Sequence, residues 1–200
     1  MPREALLKIL DCVVASTPKE GLARLLRGHA ALDELREGPK GARPLLKAAK
    51  LFRNASINRE YYDSFEVNSK NFTQVSAGTR KWIDDLGRYM DSCVAQAKAG
   101  PADVVREAFE VLFDLVRRND RGEDWLFFAD EGGSWMFGLN CRVILSAYFK
   151  CLGATAKAKE YAKAVEVAAD ALVRHDKELA FGLARTAATP EQRRALDAPR

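Results

Sequence analysis

A chain of 200 residues, 48% hydrophobic and 30% charged, has the composition of a globular protein rather than a disordered one and suits one domain, or two small helical halves sharing a core. The net charge of +4 is too mild to specify a partner, but it is unevenly spread: residues 1–59 hold 12 basic against 6 acidic side chains, whereas residues 101–150 hold 6 against 9. The four cysteines, Cys12, Cys93, Cys141 and Cys151, have no CxxC spacing to suggest a zinc framework, and each falls in an apolar helical pattern where a reduced, buried thiol is expected.

Helix signals run the length of the chain. Leu6, Leu7, Ile9, Leu10, Val13 and Val14 predict an amphipathic helix over 3–15. Arg3, Glu4, Lys8 and Asp11 interrupt its apolar run, so it does not read as a secretory leader. Thr17-Pro18-Lys19-Glu20 supplies an N-cap, a proline in the first turn and a capping-box glutamate for a helix to about Leu26. A short helix over 30–36 ends at Gly38-Pro39. Leu45, Leu46, Ala49 and Phe52 predict a helix over 43–55. Residues 57–76 are the least regular part, with a helix start expected near Asn58 and a loop through Asn68–Asn71.

Thr79 opens a predicted helix to about Ala97, closed by Gly100-Pro101. Over 102–118 only Asp103, Glu107, Glu110, Asp114 and Arg117 form a polar stripe, which predicts a helix packed around most of its circumference. Residues 119–138 form the longest predicted loop, with a short turn expected at Trp125–Phe128. In Leu139–Leu152 the polar line is Arg142, Ser146 and Lys150, so this helix belongs at the centre of the core and is too polar to cross a bilayer. Further helices are predicted over 156–174 and 177–187, and Thr189-Pro190-Glu191-Gln192 caps a terminal helix near Arg193–Leu196. No segment alternates as a strand does.

Successive amphipathic helices with Gly/Pro turns predict an all-α fold: an antiparallel multi-helix bundle or a short α-solenoid of helical hairpins. The expected organisation is a single domain over 1–200, with halves 1–76 and 77–200 sharing one core as the other division, in a cytoplasmic protein. Lys159–Leu172, with Ala164, Ala168 and Ala171 on one side, resembles the second helix of a tetratricopeptide repeat. The likeness covers less than one repeat, no period recurs, and it assigns no functional residue.

The only histidines are His29 and His175. His29, the pair His175-Asp176 and Asp197 follow the order of the His, His-Asp and Asp motif and so resemble the metal-dependent HD phosphohydrolases, which are also all-α. That resemblance implies a metal-dependent phosphohydrolase. The spacing departs from the family, because most of the chain separates His29 from His175 and Asp197 stands nearly at the C-terminus. Read from local chemistry alone, His175 lies at a helix C-terminus and Asp176 caps the next helix. Gly132-Gly133 and Gly138 are not followed by Lys-Ser/Thr, so no phosphate loop is present.

Two segments stand out as surfaces. The run 123–138 carries Asp124, Trp125, Asp130, Glu131 and Trp135 among further aromatics, with a glycine pair at its middle. Trp125 and Trp135 are expected to be buried anchors, and Asp124, Asp130 and Glu131 to ring them as an acidic rim for a basic partner, a second copy's basic face included. Lys40, Arg43, Lys47 and Lys50 share one helix face, extended by Arg36 and Arg53, and suit a phosphate backbone. A third, 59–72, mixes aromatics with polar side chains and reads as a helix-to-helix crossover. No catalytic residue, metal ligand or cofactor is assigned. The leading expectation is a non-enzymatic helical interaction protein, an adaptor, regulator or inhibitor that binds another macromolecule, with a protein as the expected partner, homo-oligomerisation open, no membrane span, and nucleic-acid binding through 36–53 as the alternative.

Overall fold

The computed structural model describes residues 41–123, 125–129 and 133–198. The helices predicted over 3–15, 17–26 and 30–36 lie outside the described residues, as does Cys12. Among the described residues the fold is all-helical. Numbered from the first described helix, the elements are α1 (Ala42–Ile57), α2 (Ala77–Gln96), α3 (Ala102–Asp120), a 3-10 turn (Ser134–Phe137), α4 (Cys141–Thr155), α5 (Ala158–Leu172), α6 (Lys177–Ala187) and α7 (Pro190–Asp197). The sole pairing of extended chain among them is an isolated antiparallel bridge between Val75 and Phe128.

Each helix follows from its pattern. In α1 the buried positions Leu45, Ala49, Phe52 and Ser56 recur every three or four residues. Thr79, Trp82, Leu86, Met90 and Cys93 form the same stripe on α2, whose N-cap Ser76 accepts the Thr79 amide at 3.0 Å. Helix α3 buries seven apolar residues from Val105 to Val116. In α4, Ile144, Leu145, Tyr148, Phe149, Cys151 and Leu152 are buried while Arg142, Ser146 and Lys150 face solvent. Thr189 and Gln192 close the capping box of α7. The side-chain amide of Gln192 also donates to the carbonyls of Gly153 and Ala156 at 3.1 and 2.8 Å, tying α7 to the end of α4.

The packing order has a simple rule. Helices α1, α3, α5 and α7 pack in succession as one row; α2, α4 and α6 pack as a second; and each helix also packs on its immediate neighbour in the chain. All closely packed helix pairs among the described residues are first or second neighbours, which is how helical hairpins stack in an α-solenoid. One hydrophobic cluster nevertheless runs through all seven helices, from Ala42 to Leu196. Because first and second neighbours are joined by short connections except after α1 and α3, three sets of inter-helix connections, 58–76, 121–140 and 173–176, come to the same edge of the stack: they follow the C-termini of α1, α3 and α5.

Two expectations change. The helix start near Asn58 is absent: α1 ends there, Arg59 adopts a left-handed φ of 63°, 62–68 holds no regular structure, and turns over 69–73 lead to the Val75–Phe128 bridge. The turn placed at Trp125–Phe128 is also corrected. Trp125 and Leu126 form only a bend, the next residues run extended, and the helical turn lies at Ser134–Phe137. In both places aromatic side chains are drawn to a tertiary partner, which overrides local propensity.

The Cys93, Cys141 and Cys151 thiols are free, and burial pushes Cys93 up to about 12. Little thiolate therefore exists at neutral pH. In a Cys12→Ser background, labelling of the native protein at pH 8 should be slow at Cys93 and should become fast on unfolding or as pH climbs towards about 12. A second expected outcome concerns Gly153, where an added Cβ would stand 2.7 Å from the Ala187 carbonyl oxygen across the α4–α6 contact. Gly153→Ala should lower stability by about 1–3 kcal/mol in urea unfolding, the usual cost of overpacking.

Candidate functional site

The loop over 121–140 is built from contacts that hold it down. The Trp82 indole of α2 lies 5.2 Å edge-on from Trp125, 5.1 Å from Phe137 and 5.6 Å stacked on Phe52 (ring centroids throughout). Its Nε1 donates to Ser56 Oγ at 2.8 Å, and that hydroxyl donates to the Phe52 carbonyl at 2.7 Å. Thr79 clamps the loop backbone from both sides: its hydroxyl donates to the Phe127 carbonyl at 2.8 Å and accepts the Phe127 amide at 3.0 Å. Tyr62 and Phe65 of the preceding crossover pack edge-on against Phe127, as a crossover role for 59–72 requires. Near the crossover, Tyr61 donates to Asp85 at 2.8 Å, and Arg88 pairs with the same carboxylate.

The 3-10 turn then sorts its aromatics by direction. At three residues per turn, positions two apart point to different sides. Phe137 enters the core at 6% exposure, and Trp135 is left 73% exposed with its ring against Gly133. Gly138 follows in the left-handed conformation (φ 62°) and turns the chain into Asn140, the N-cap of α4. This corrects the expectation that Trp125 and Trp135 are paired buried anchors. Trp125 is one, at 3% exposure, with its Nε1 lacking a hydrogen-bond partner, whereas Trp135 faces solvent because the turn has room for one inward ring.

Trp135 stands at a cavity of about 470 Å³. Its apolar lining is Val116 from the last turn of α3, Phe137 and Leu139 from the loop, and Ala171 and Leu172 from the end of α5. Its polar lining is Asp120, Cys141, Asp170, Arg174, His175 and Asp176. The C-terminal ends of α3 and α5 meet here the N-terminal ends of α4 and α6, marked by Cys141 and the N-cap Asp176, so the negative charge of the lining comes from the three carboxylates and not from the helix ends. Arg174 Nη2 lies 3.5 Å from Asp120 Oδ2, Lys177 Nζ lies 2.5 Å from Asp170 Oδ1, and Asp176 accepts the Leu179 amide as N-cap of α6. The Cys141 thiol sits 3.4 Å from the Leu172 carbonyl oxygen, and burial raises its pKa, so it is held as a thiol rather than a nucleophilic thiolate.

Of the predicted site residues, Trp135 lines this cavity, Trp125 lies in the core beneath Trp82, and Asp124, Asp130 and Glu131 lie outside the described residues. His175 and Asp176 also reach the cavity, but Asp197 pairs with Arg185 at 2.9 Å and is not part of it, and His29 lies outside the described residues. No group of three or more His, Cys, Asp and Glu among the described residues is placed to hold a metal ion. Asp120, Asp170 and Arg174 were not singled out from the sequence, where each is one charged residue near a helix end. No described helix is long and apolar enough to cross a membrane.

On the basic face, Arg43, Lys47 and Lys50 project from α1 into solvent, and Lys40 and Arg36 lie outside the described residues. Lys50 pairs with Glu107 at 2.6 Å and Arg53 with Asp114 at 3.2 Å, so the polar stripe of α3 neutralises the C-terminal half of the basic stripe. No protein-family model matches the chain, and no curated protein or solved structure is significantly similar to it.

Trp82 and Trp135 should therefore separate cleanly. Trp82→Ala is expected to cost about 3–5 kcal/mol in urea unfolding, because it empties the space between α1, α2 and the loop. Trp135→Ala should change stability by no more than about 0.5 kcal/mol while removing the most red-shifted, most quenchable part of the tryptophan emission.

Proposed function

We propose that this chain is a non-enzymatic helical interaction protein, an adaptor or regulator that binds another protein through the face carrying Trp135. The observation that carries this reading is a tryptophan 73% exposed in the lining of a cavity of about 470 Å³. Large side chains of this kind are the usual centres of protein interfaces, and a solvent-facing indole has no stabilising role in the free protein. Two features support it. The solenoid-like stacking of α1 to α7 brings successive connections to one edge, where such folds expose extended binding surfaces. The cavity's one thiol is held protonated, and its carboxylates are occupied by Arg174, Lys177 and the α6 amide terminus, so its polar groups are arranged as a charged rim.

The alternative, nucleic-acid binding through Arg36–Arg53, has its support in the exposed Arg43 and Lys47. The ion pairs of Lys50 and Arg53 reduce the charge left for phosphates, which favours the protein partner.

A photo-crosslinking amino acid placed at 135, with a control at the exposed Lys159 of α5, tests the proposal in extract of the source cell. The expected result is one discrete protein adduct at 135 that is absent at 159 and is suppressed by excess unmodified protein but not by excess Trp135→Ala protein. Nucleic acid in the adduct, or equal suppression by the Trp135→Ala protein, sinks the reading.

A further inference from the structure

The cavity beside Trp135 has a charge pattern that selects what can enter it. We propose that it is a recognition pocket for an arginine or lysine side chain, flanked by apolar residues, on an extended segment of a partner protein. This rests on the reading of the Trp135 face as a protein-binding surface and adds the chemistry of the anchor.

Four observations lead there. Part of the lining is apolar, formed by Val116, Phe137, Leu139 and Leu172, and matches the aliphatic stem of a long basic side chain. Carboxylates outnumber cationic side chains in the lining: Asp120, the last residue of α3, and Asp170, two residues before the end of α5, stand there with Asp176. The same lining carries Trp135, whose exposed ring face can cover a cation, an arrangement with its own attraction. Finally, the pocket already meets cations from its own rim. Arg174, with its side chain 51% exposed, reaches Asp120, whose side chain is only 16% exposed, at the loose distance of 3.5 Å. Lys177 reaches Asp170, a half-exposed carboxylate, at the closer distance of 2.5 Å. Arg174 is thus a replaceable occupant: a half-exposed ion pair contributes little, so its guanidinium can swing to solvent when a partner's takes its place.

Other anchors fit less well. An anionic side chain would meet the carboxylates of Asp120, Asp170 and Asp176. A wholly apolar anchor in the cavity would cover the Asp120 carboxylate without offering it a donor, a desolvation that a guanidinium avoids by forming charge-assisted hydrogen bonds.

The full chain is titrated with three fluorescently labelled peptides, Gly-Leu-X-Leu-Gly with blocked ends, where X is arginine, the neutral isostere citrulline or glutamate. Anisotropy reports binding, and quenching of the Trp135 emission reports the site. The arginine peptide should bind about 10-fold tighter than the citrulline peptide, the glutamate peptide weakest, and the preference should shrink with added salt. Asp120→Asn should abolish the arginine preference without changing the unfolding midpoint, and Arg174→Ala should tighten arginine binding by removing the internal competitor. Equal binding of the arginine and citrulline peptides, both lost in Trp135→Ala, would overturn the cation pocket while leaving the protein-binding face standing. An arginine preference that survives both Asp120→Asn and Asp170→Asn would also overturn it. No binding by any peptide at millimolar concentration, to the native chain or to Arg174→Ala, would overturn the pocket; the crosslinking result at 135 would then decide the face separately.

Discussion

The Trp82 indole is the contact on which the rest of the described structure depends. It is fully buried, stacks on Phe52 of α1, meets Trp125 and Phe137 of the long loop, and satisfies its one polar atom on Ser56. A buried Nε1–H without an acceptor would be costly, and Ser56 resolves this while its own hydroxyl proton goes to the Phe52 carbonyl. Three segments far apart in the chain are thereby held around one ring. Neighbouring Thr79 extends the same fastening to the loop backbone at Phe127. A connection of this length would ordinarily be the most variable part of a helical stack; here Trp125, Leu126, Ala129 and Phe137 are buried.

That fastening has a functional consequence. Phe137 is drawn in towards Trp82, and the 3-10 turn leaves Trp135, two residues before it, outside. The exposed indole is therefore presented beside a ring fixed in the core. A pre-positioned anchor loses less conformational freedom on binding, which is the condition for a single side chain to dominate an interface. The stacking order adds the second component. Since α3 and α5 belong to the same row, their C-termini lie side by side, and the cavity there takes Asp120 and Asp170 from them together with Cys141 and Asp176 from the starts of α4 and α6.

The polar side chains of α3 show how one helix can serve several neighbours. Glu107 pairs with Lys50, Asp114 with both Arg53 and Arg118, and Glu110 with Arg106 while accepting the Tyr148 hydroxyl at 3.1 Å. Burial raises the pKa of Glu110 against the opposing pull of Arg106 and Tyr148. Exposed pairs of this type contribute little each to stability, so the role of the stripe is to fix which faces of α1 and α4 meet α3. It also explains why the basic stripe of α1, legible in the sequence as one continuous face, is electrostatically divided in the folded protein.

The sequence by itself determined the helices and their inward faces. Apolar residues at three- and four-residue spacing can be buried only as helices, and caps such as Asp176 and Thr189 act through amides three positions away, so both signals are local. The polar line Arg142, Ser146 and Lys150 named the outer face of α4 for the same reason. Trp125 and Trp135 were indistinguishable at that level: both are tryptophans in one loop, and burial was the natural expectation for each. Only the tertiary structure decided between them, because the outcome depends on how many rings fit around Trp82 and on the direction of a four-residue turn. The cavity was likewise invisible in the sequence. Val116, Leu139 and Arg174 come from three separated segments, and they become one site only when the row of α3 and α5 places two helix ends together.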